Sequence, residues 1–194
     1  MKNKLFKLSG LTLLAVIAPL AEAHTVHDAS GFMAGLVHPL LGIDHLLAIL
    51  AAGIWAGRMG KQTTWRVPLA YMLAMSVAMV ALVGISSVPY VETGIALSLL
   101  LFGLLAAAST RLSTLAGLMI ISVFAAIHGA AHSVEMASTL SPLAYLSGIV
   151  LATALLQAVA ITVGVINRHG VTRHIVTMVA ATIAAAGGTL LLAS

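Results

Sequence analysis

Residues 113–133 have the sequence STLAGLMIISVFAAIHGAAHS, a run without a lysine, arginine, aspartate or glutamate. A helix crosses the hydrocarbon core of a bilayer in about 20 mostly apolar residues, so this stretch predicts a transmembrane helix. Further mostly apolar stretches on both sides raise the predicted number of spans to six: 32–57, 67–86, 91–108, 113–133, 143–166 and 172–192. The predicted fold class is therefore an all-α polytopic membrane protein.

The composition supports a lipid-facing surface and excludes several classes of function. The chain is 61% hydrophobic and 7% charged, whereas a soluble domain carries about 25% charged residues. It contains no cysteine, which excludes disulfides, thiolate metal sites and iron–sulfur clusters. The formal net charge of +4 comes from scattered residues rather than a basic patch, so we expect no binding of nucleic acid.

The first 23 residues have the parts of a secretory signal peptide. Lysines near the N-terminus precede an apolar run over residues 8–20, and Ala21-Glu22-Ala23 matches an A-x-A cleavage site. We predict that residues 1–23 are removed; the alternative is an uncleaved anchor helix. The mature chain, residues 24–194, would then be one transmembrane domain that begins at His24 outside the cytoplasm.

The distribution of basic residues predicts the orientation, because cytoplasmic loops of membrane proteins are enriched in lysine and arginine. With an external N-terminus, the first, third and fifth loops face the cytoplasm, and all basic residues of the mature chain lie in or beside them: Arg58, Lys61, Arg66, Arg111, Arg168 and Arg173. The sequence thus predicts a bacterial inner-membrane protein with both termini outside. Trp55, Trp65 and Tyr90, near predicted span ends, are expected to be interfacial anchors.

The first predicted span contains a cluster of ionisable residues, which are costly inside a membrane and usually functional. His38 and His45 are seven residues apart, so on a continuous helix they share one face. Asp44 points about a third of a turn away. It either joins the same site or orients an imidazole as a hydrogen-bond acceptor.

The fourth predicted span contains a second cluster. His128, His132 and Glu135 have the spacing i, i+4, i+7 and form one stripe on a helix, and two imidazoles at i and i+4 can bind a single ion. The predicted topology places both clusters in the external half of the membrane. Glu92, which starts the third span at the same level, is either a further ligand or a solvated interfacial residue.

The mature N-terminus offers another metal-binding group. The α-amine and side chain of His24 belong to one residue and can chelate together, with His27 nearby; the alternative is a solvated tail. We therefore predict metal ligands at these positions: His24, His27, His38, Asp44, His45, Glu92, His128, His132 and Glu135.

Imidazole suits several divalent transition metals, so the ligand types alone do not name the ion. Ionisable residues of this kind inside a membrane predict a metal transporter. There are two alternatives: a membrane zinc hydrolase with Glu135 as general base, and a metal-binding accessory protein that never transports.

Each of the two clusters lies in the first span of a three-span half, and the two halves have opposite orientations. This arrangement predicts an inverted 3+3 repeat with the site between the halves.

The motifs resemble those of the HupE/UreJ family of hydrogenase and urease accessory membrane proteins. The resemblance covers nearly the whole mature chain and rests on H-x5-D-H, here His38, Asp44 and His45, and on H-G-x-A-H-x-x-E, here His128, Gly129, Ala131, His132 and Glu135. Glu92 and an exposed N-terminal His24 also fit.

The resemblance implies a permease that takes up Ni²⁺, or Co²⁺, and supplies the maturation of nickel enzymes; Zn²⁺ is a further candidate ion. The chain departs from the pattern at Ile127, where an aromatic residue is expected, and at Ser133, where glycine is expected. These departures leave the metal preference open and do not change the expected family.

Overall fold

The computed structural model describes residues 26–136, 140–167 and 171–193, and for residues 26–30 and 171 it describes the backbone alone. Every regular element in these ranges is a helix, with no strand among them, so the predicted all-α class is confirmed. The helices are α1 Val26–Leu41, α2 Ile43–Met59, α3 Thr63–Ala81, α4 Val91–Ala107, α5 Thr114–Glu135, α6 Pro142–Ile166 and α7 Val171–Ala193.

Four of these helices, α3, α5, α6 and α7, are long and apolar enough to cross a membrane. The bent pair α1 and α2 would count as a fifth crossing if it forms one span. Helix α4 is apolar but has 17 residues, at the lower limit of about 17 for a transmembrane helix. The described helices therefore make a multi-pass membrane protein, while six spans, the inverted repeat and the external termini stay predictions.

The predicted span 32–57 is not one continuous helix, because the helix breaks at Gly42. Helices α1 and α2 meet there at an angle of 78°. Gly42 has an extended backbone, with φ −82° and ψ 102°, and Pro39 lacks the N–H that a continuing helix would use. Asp44 lies in the first turn of α2, where a negative charge is favourable. The sequence between Pro39 and Asp44 thus ends one helix and starts another.

Glycines bring the helices close together, as is common where packing rather than hydrophobicity drives association in a membrane. Gly129 of α5 lies directly against the backbone carbonyl of Met75 in α3, where a methyl group could not fit. Gly57 of α2 and Gly164 of α6 contact each other in the same manner. These contacts hold α5 closely against α3 and α6 closely against α2.

The end of α2 corrects two further predictions. Arg58, expected in a cytoplasmic loop, lies inside α2 and is 5% exposed; its Nη1 donates to the carbonyl of Ala106 at 2.6 Å. Trp55, expected at the membrane interface, is fully buried and donates to the carbonyl of Thr110 at 3.0 Å. Both side chains pair with carbonyls at the end of α4 and just beyond it, where backbone acceptors lack partners within the helix.

Candidate metal centre

Four imidazoles from three helices converge in the interior of the protein. The ring of His132 on α5 lies beside those of both His38 on α1 and His45 on α2, with ring centroids 5.0 and 4.9 Å away. His128, one turn before His132, lies 5.2 Å from His45. The structure therefore brings together the histidines of both predicted clusters.

His38 and His45 reach this cluster by a different route from the predicted one. A shared face on one helix was expected, but the break at Gly42 places the two residues on different helices. The bend turns α1 so that the His38 ring still approaches, with its centroid 6.1 Å from that of His45. The expectation of a shared helix face is wrong, although the two rings are neighbours.

Glu135 supplies a carboxylate to the same cluster. Its Oε2 lies 2.8 Å from Nε2 of His38, 3.7 Å from Nδ1 of His132 and 3.9 Å from Nε2 of His45. The candidate ligand atoms of His38, His132 and Glu135 lie within 4.8 Å of one another. Nitrogen and oxygen ligands bind an ion such as Zn²⁺ at about 2.1 Å, so a small movement of these side chains would bring all three onto one ion.

Hydrogen bonds fix the orientation of two of the imidazoles. Nδ1 of His128 lies 2.9 Å from the carbonyl oxygen of Phe124, which can only accept, so Nδ1 carries the proton and Nε2 keeps its lone pair. Nδ1 of His45 donates to Oδ1 of Asp44 at 3.0 Å in the same way. A metal-bound histidine commonly donates its other N–H to a carbonyl or carboxylate. Of the two roles predicted for Asp44, this geometry matches the orienting one.

Four further ring nitrogens, on His45, His128 and His132, are buried and have no hydrogen-bond partner. His128 and His132 are fully buried and His45 is 3% exposed. Nε2 of His45, Nε2 of His128 and both ring nitrogens of His132 are without a partner. A buried polar atom left unsatisfied costs about 1–3 kcal/mol. A bound divalent ion would satisfy several of these atoms at once, so the donor set fits a transition metal.

Glu92 lies beside this cluster rather than among its ligand atoms. It lines a cavity of about 420 Å³ together with Glu135, and a second cavity of about 210 Å³ together with Asp44. The side chain of Glu135 is 35% exposed and lines the larger of these cavities, so the cluster is open there. Glu92 and Glu135 thus place two carboxylate side chains on the wall of one cavity.

Two predicted ligands and the predicted signal peptide lie outside the part of the chain whose side chains the structure describes. His24 and the signal peptide of residues 1–23 lie outside the described residues, and so does the side chain of His27. Their roles stay predictions.

Two tyrosines at the cluster were not anticipated from the sequence. The ring of Tyr145 on α6 lies 5.7 Å from that of His38, and the ring of Tyr71 on α3 lies 5.9 Å from that of His128. The hydroxyl group of Tyr71 is buried and has no hydrogen-bond partner. A tyrosine within an apolar span was the available signal, but the helix face of each tyrosine could not be assigned without the packing.

Comparisons with known proteins agree with the motifs. The family model described as HupE / UreJ protein matches residues 12–191. Protein HupE of Rhizobium leguminosarum bv. viciae is 34% identical over 182 residues, which cover 93% of this chain and 95% of that protein. No solved structure matches the chain.

Proposed function

The chain belongs to the HupE/UreJ family, and from that premise we propose that it is a permease that carries Ni²⁺, or Co²⁺, inward across the bacterial inner membrane. The observation that carries this proposal is the convergence of His38, His45, His128 and His132 with Glu135 inside a multi-pass membrane protein. Ionisable groups inside a membrane-spanning segment are costly and commonly mark an ion pathway. Zn²⁺ is a competing ion, because imidazole binds it as well.

The ion would reach the cluster from the side on which Glu135 is exposed. In the mature chain, residues 24–194, His24 and His27 capture the ion outside the membrane. Glu92 and Glu135, which line one cavity, attract it next. The imidazoles then replace its remaining water, and Asp44 holds His45 with Nε2 toward the ion.

Release requires the ligands to separate, and the break at Gly42 provides a hinge for that step. His38 lies on one side of the break and His45 on the other. A change in the angle between α1 and α2 would move these two rings apart while α5 keeps His128 and His132 in place. Discontinuous helices at a central site are a common arrangement in secondary transporters. The released ion would serve hydrogenase or urease maturation proteins.

Uptake of radioactive nickel tests this function directly. We expect proteoliposomes that contain the full chain to accumulate more ⁶³Ni²⁺ than empty liposomes do. We expect His38→Ala to abolish that difference, because it removes the ligand that α1 contributes. The matched control is His174→Ala, whose side chain is exposed on α7. The measurement is the initial uptake rate at equal amounts of reconstituted protein.

The other functions give different results in the same preparation. A chain that binds Ni²⁺ tightly but gives no uptake would be an accessory protein. A chain that gives no uptake but hydrolyses lipid or peptide in a Zn²⁺-dependent reaction would be an enzyme. Either result would contradict the permease.

A further inference from the structure

Helix α6 carries two buried polar side chains that the imidazole cluster does not use. Thr153 is fully buried and Gln157 is 1% exposed. Oγ1 of Thr153 and both Oε1 and Nε2 of Gln157 have no hydrogen-bond partner. The two residues are one helical turn apart and so lie on the same face of α6.

Other threonines in the apolar helices satisfy their hydroxyl groups locally. Thr162, also on α6, donates to the carbonyl of Ala158 at 2.7 Å. Thr182 of α7 donates to the carbonyl of Met178 at 3.0 Å. A hydrogen bond from the hydroxyl group to the carbonyl four residues earlier is common for threonine in a helix. Thr153 does not use it, so its oxygen stays available to a ligand in the interior.

The position of this pair follows from the contacts of α6 with α1 and α2. Tyr145, near the start of α6, lies beside His38. Further along, a side chain at Gly53 would meet the backbone oxygen of Gln157 at 3.3 Å. Gly53 follows His45 by about 12 Å along α2. Thr153 and Gln157 therefore lie beyond the imidazole cluster, toward the end of α2 that carries Arg58.

We propose that Thr153 and Gln157 form a second, weaker binding station for the divalent ion on its way from the imidazole cluster to the far side of the membrane. This inference rests on the proposed transport function. Hydroxyl and amide oxygens are neutral donors that resemble water, and they hold nickel less tightly than imidazole does. Once the imidazoles separate, the ion needs a weaker site to move to, because conduction requires binding that is weak enough, or spread over enough sites, for the ion to leave.

Substitutions of similar shape test the station. We expect Thr153→Val and Gln157→Met each to lower the initial rate of ⁶³Ni²⁺ uptake into proteoliposomes by about tenfold. The affinity of the purified variants for Ni²⁺, measured by calorimetry, should stay within about twofold of the wild type, since the imidazoles remain. Thr153→Ser should restore the wild-type uptake rate because it restores the hydroxyl group. Thr162→Val, on the exposed face of the same helix, should transport as the wild type does.

Several results would contradict the proposal of a second binding station. Wild-type uptake by both Thr153→Val and Gln157→Met would show that neither side chain contacts the moving ion. A Thr153→Ser variant as slow as Thr153→Val, or a loss of Ni²⁺ affinity equal to the loss of uptake, would assign the pair to packing. Absence of uptake by the wild-type chain would instead reject the proposed function and this inference with it.

Discussion

Replacing His132 by alanine is expected to lower the affinity for Ni²⁺ by at least about 100-fold and to abolish uptake. Loss of a residue that only supports a ligand already costs about 10–100-fold, and His132 lies close to two other imidazoles and to Glu135. Its ring lies 5.0 Å from His38 and 4.9 Å from His45. The candidate ligand atoms of His38, His132 and Glu135 lie within 4.8 Å of one another, so the substitution removes one of these three ligands. Calorimetric titration of the purified chain measures the effect.

The control for this prediction is a histidine outside the cluster. His174→Ala changes an exposed imidazole on α7 and should leave the affinity at the wild-type value. The thermal unfolding transition without metal should also be similar for the two variants. If His132→Ala bound Ni²⁺ as tightly as His174→Ala does, His132 would not be a ligand.

Removing the acceptor that orients His45 should have the second largest effect. We expect Asp44→Ala to lower Ni²⁺ affinity by about 10–100-fold, because a support of this kind fixes the tautomer and orientation of a metal-bound imidazole. Oδ1 of Asp44 accepts from Nδ1 and from the backbone N–H of His45, at 3.0 and 2.8 Å. Uptake of ⁶³Ni²⁺ and calorimetry measure the two consequences.

The variant Asp44→Asn separates orientation from charge. An asparagine oxygen can still accept the hydrogen bond from His45, so we expect a smaller loss of affinity than with alanine. An equal loss in the two variants would show that the negative charge matters rather than the acceptor. Unchanged affinity in Asp44→Ala would contradict the orienting role.

The sequence predicted those features that depend on one helix alone. The stripe of His128, His132 and Glu135 follows from the regular 3.6-residue turn of a helix, and the structure has all three residues on α5. The all-α class follows from the length and apolar character of the runs, since a helix satisfies its own backbone groups in lipid. Local geometry was sufficient for both predictions.

Features that depend on packing between helices could not be predicted. The break at Gly42 had local signals in Pro39 and Asp44, but its 78° angle is set by the helices around it. The convergence of α1, α2 and α5 depends on close approaches such as that of Gly129 to Met75. A hydropathy pattern does not say which helix such a glycine will face.

Arg58 and Trp55 show the same limit at the end of a span. Their types suggested a loop cation and an interfacial anchor. In the structure both are buried and donate to backbone carbonyls at and beyond the end of α4. Because these acceptors belong to a distant part of the chain, the sequence around residues 55–58 carried no sign of them.

X-ray absorption at the nickel edge tests most directly whether imidazoles from α1, α2 and α5 share one ion. The purified full chain would be loaded with one equivalent of Ni²⁺. We predict a shell of nitrogen and oxygen ligands with the outer scattering of at least three imidazoles, and one imidazole fewer in His128→Ala. A shell of oxygen ligands with no imidazole scattering, or a spectrum that His38→Ala, His45→Ala, His128→Ala and His132→Ala all leave unchanged, would contradict a shared site.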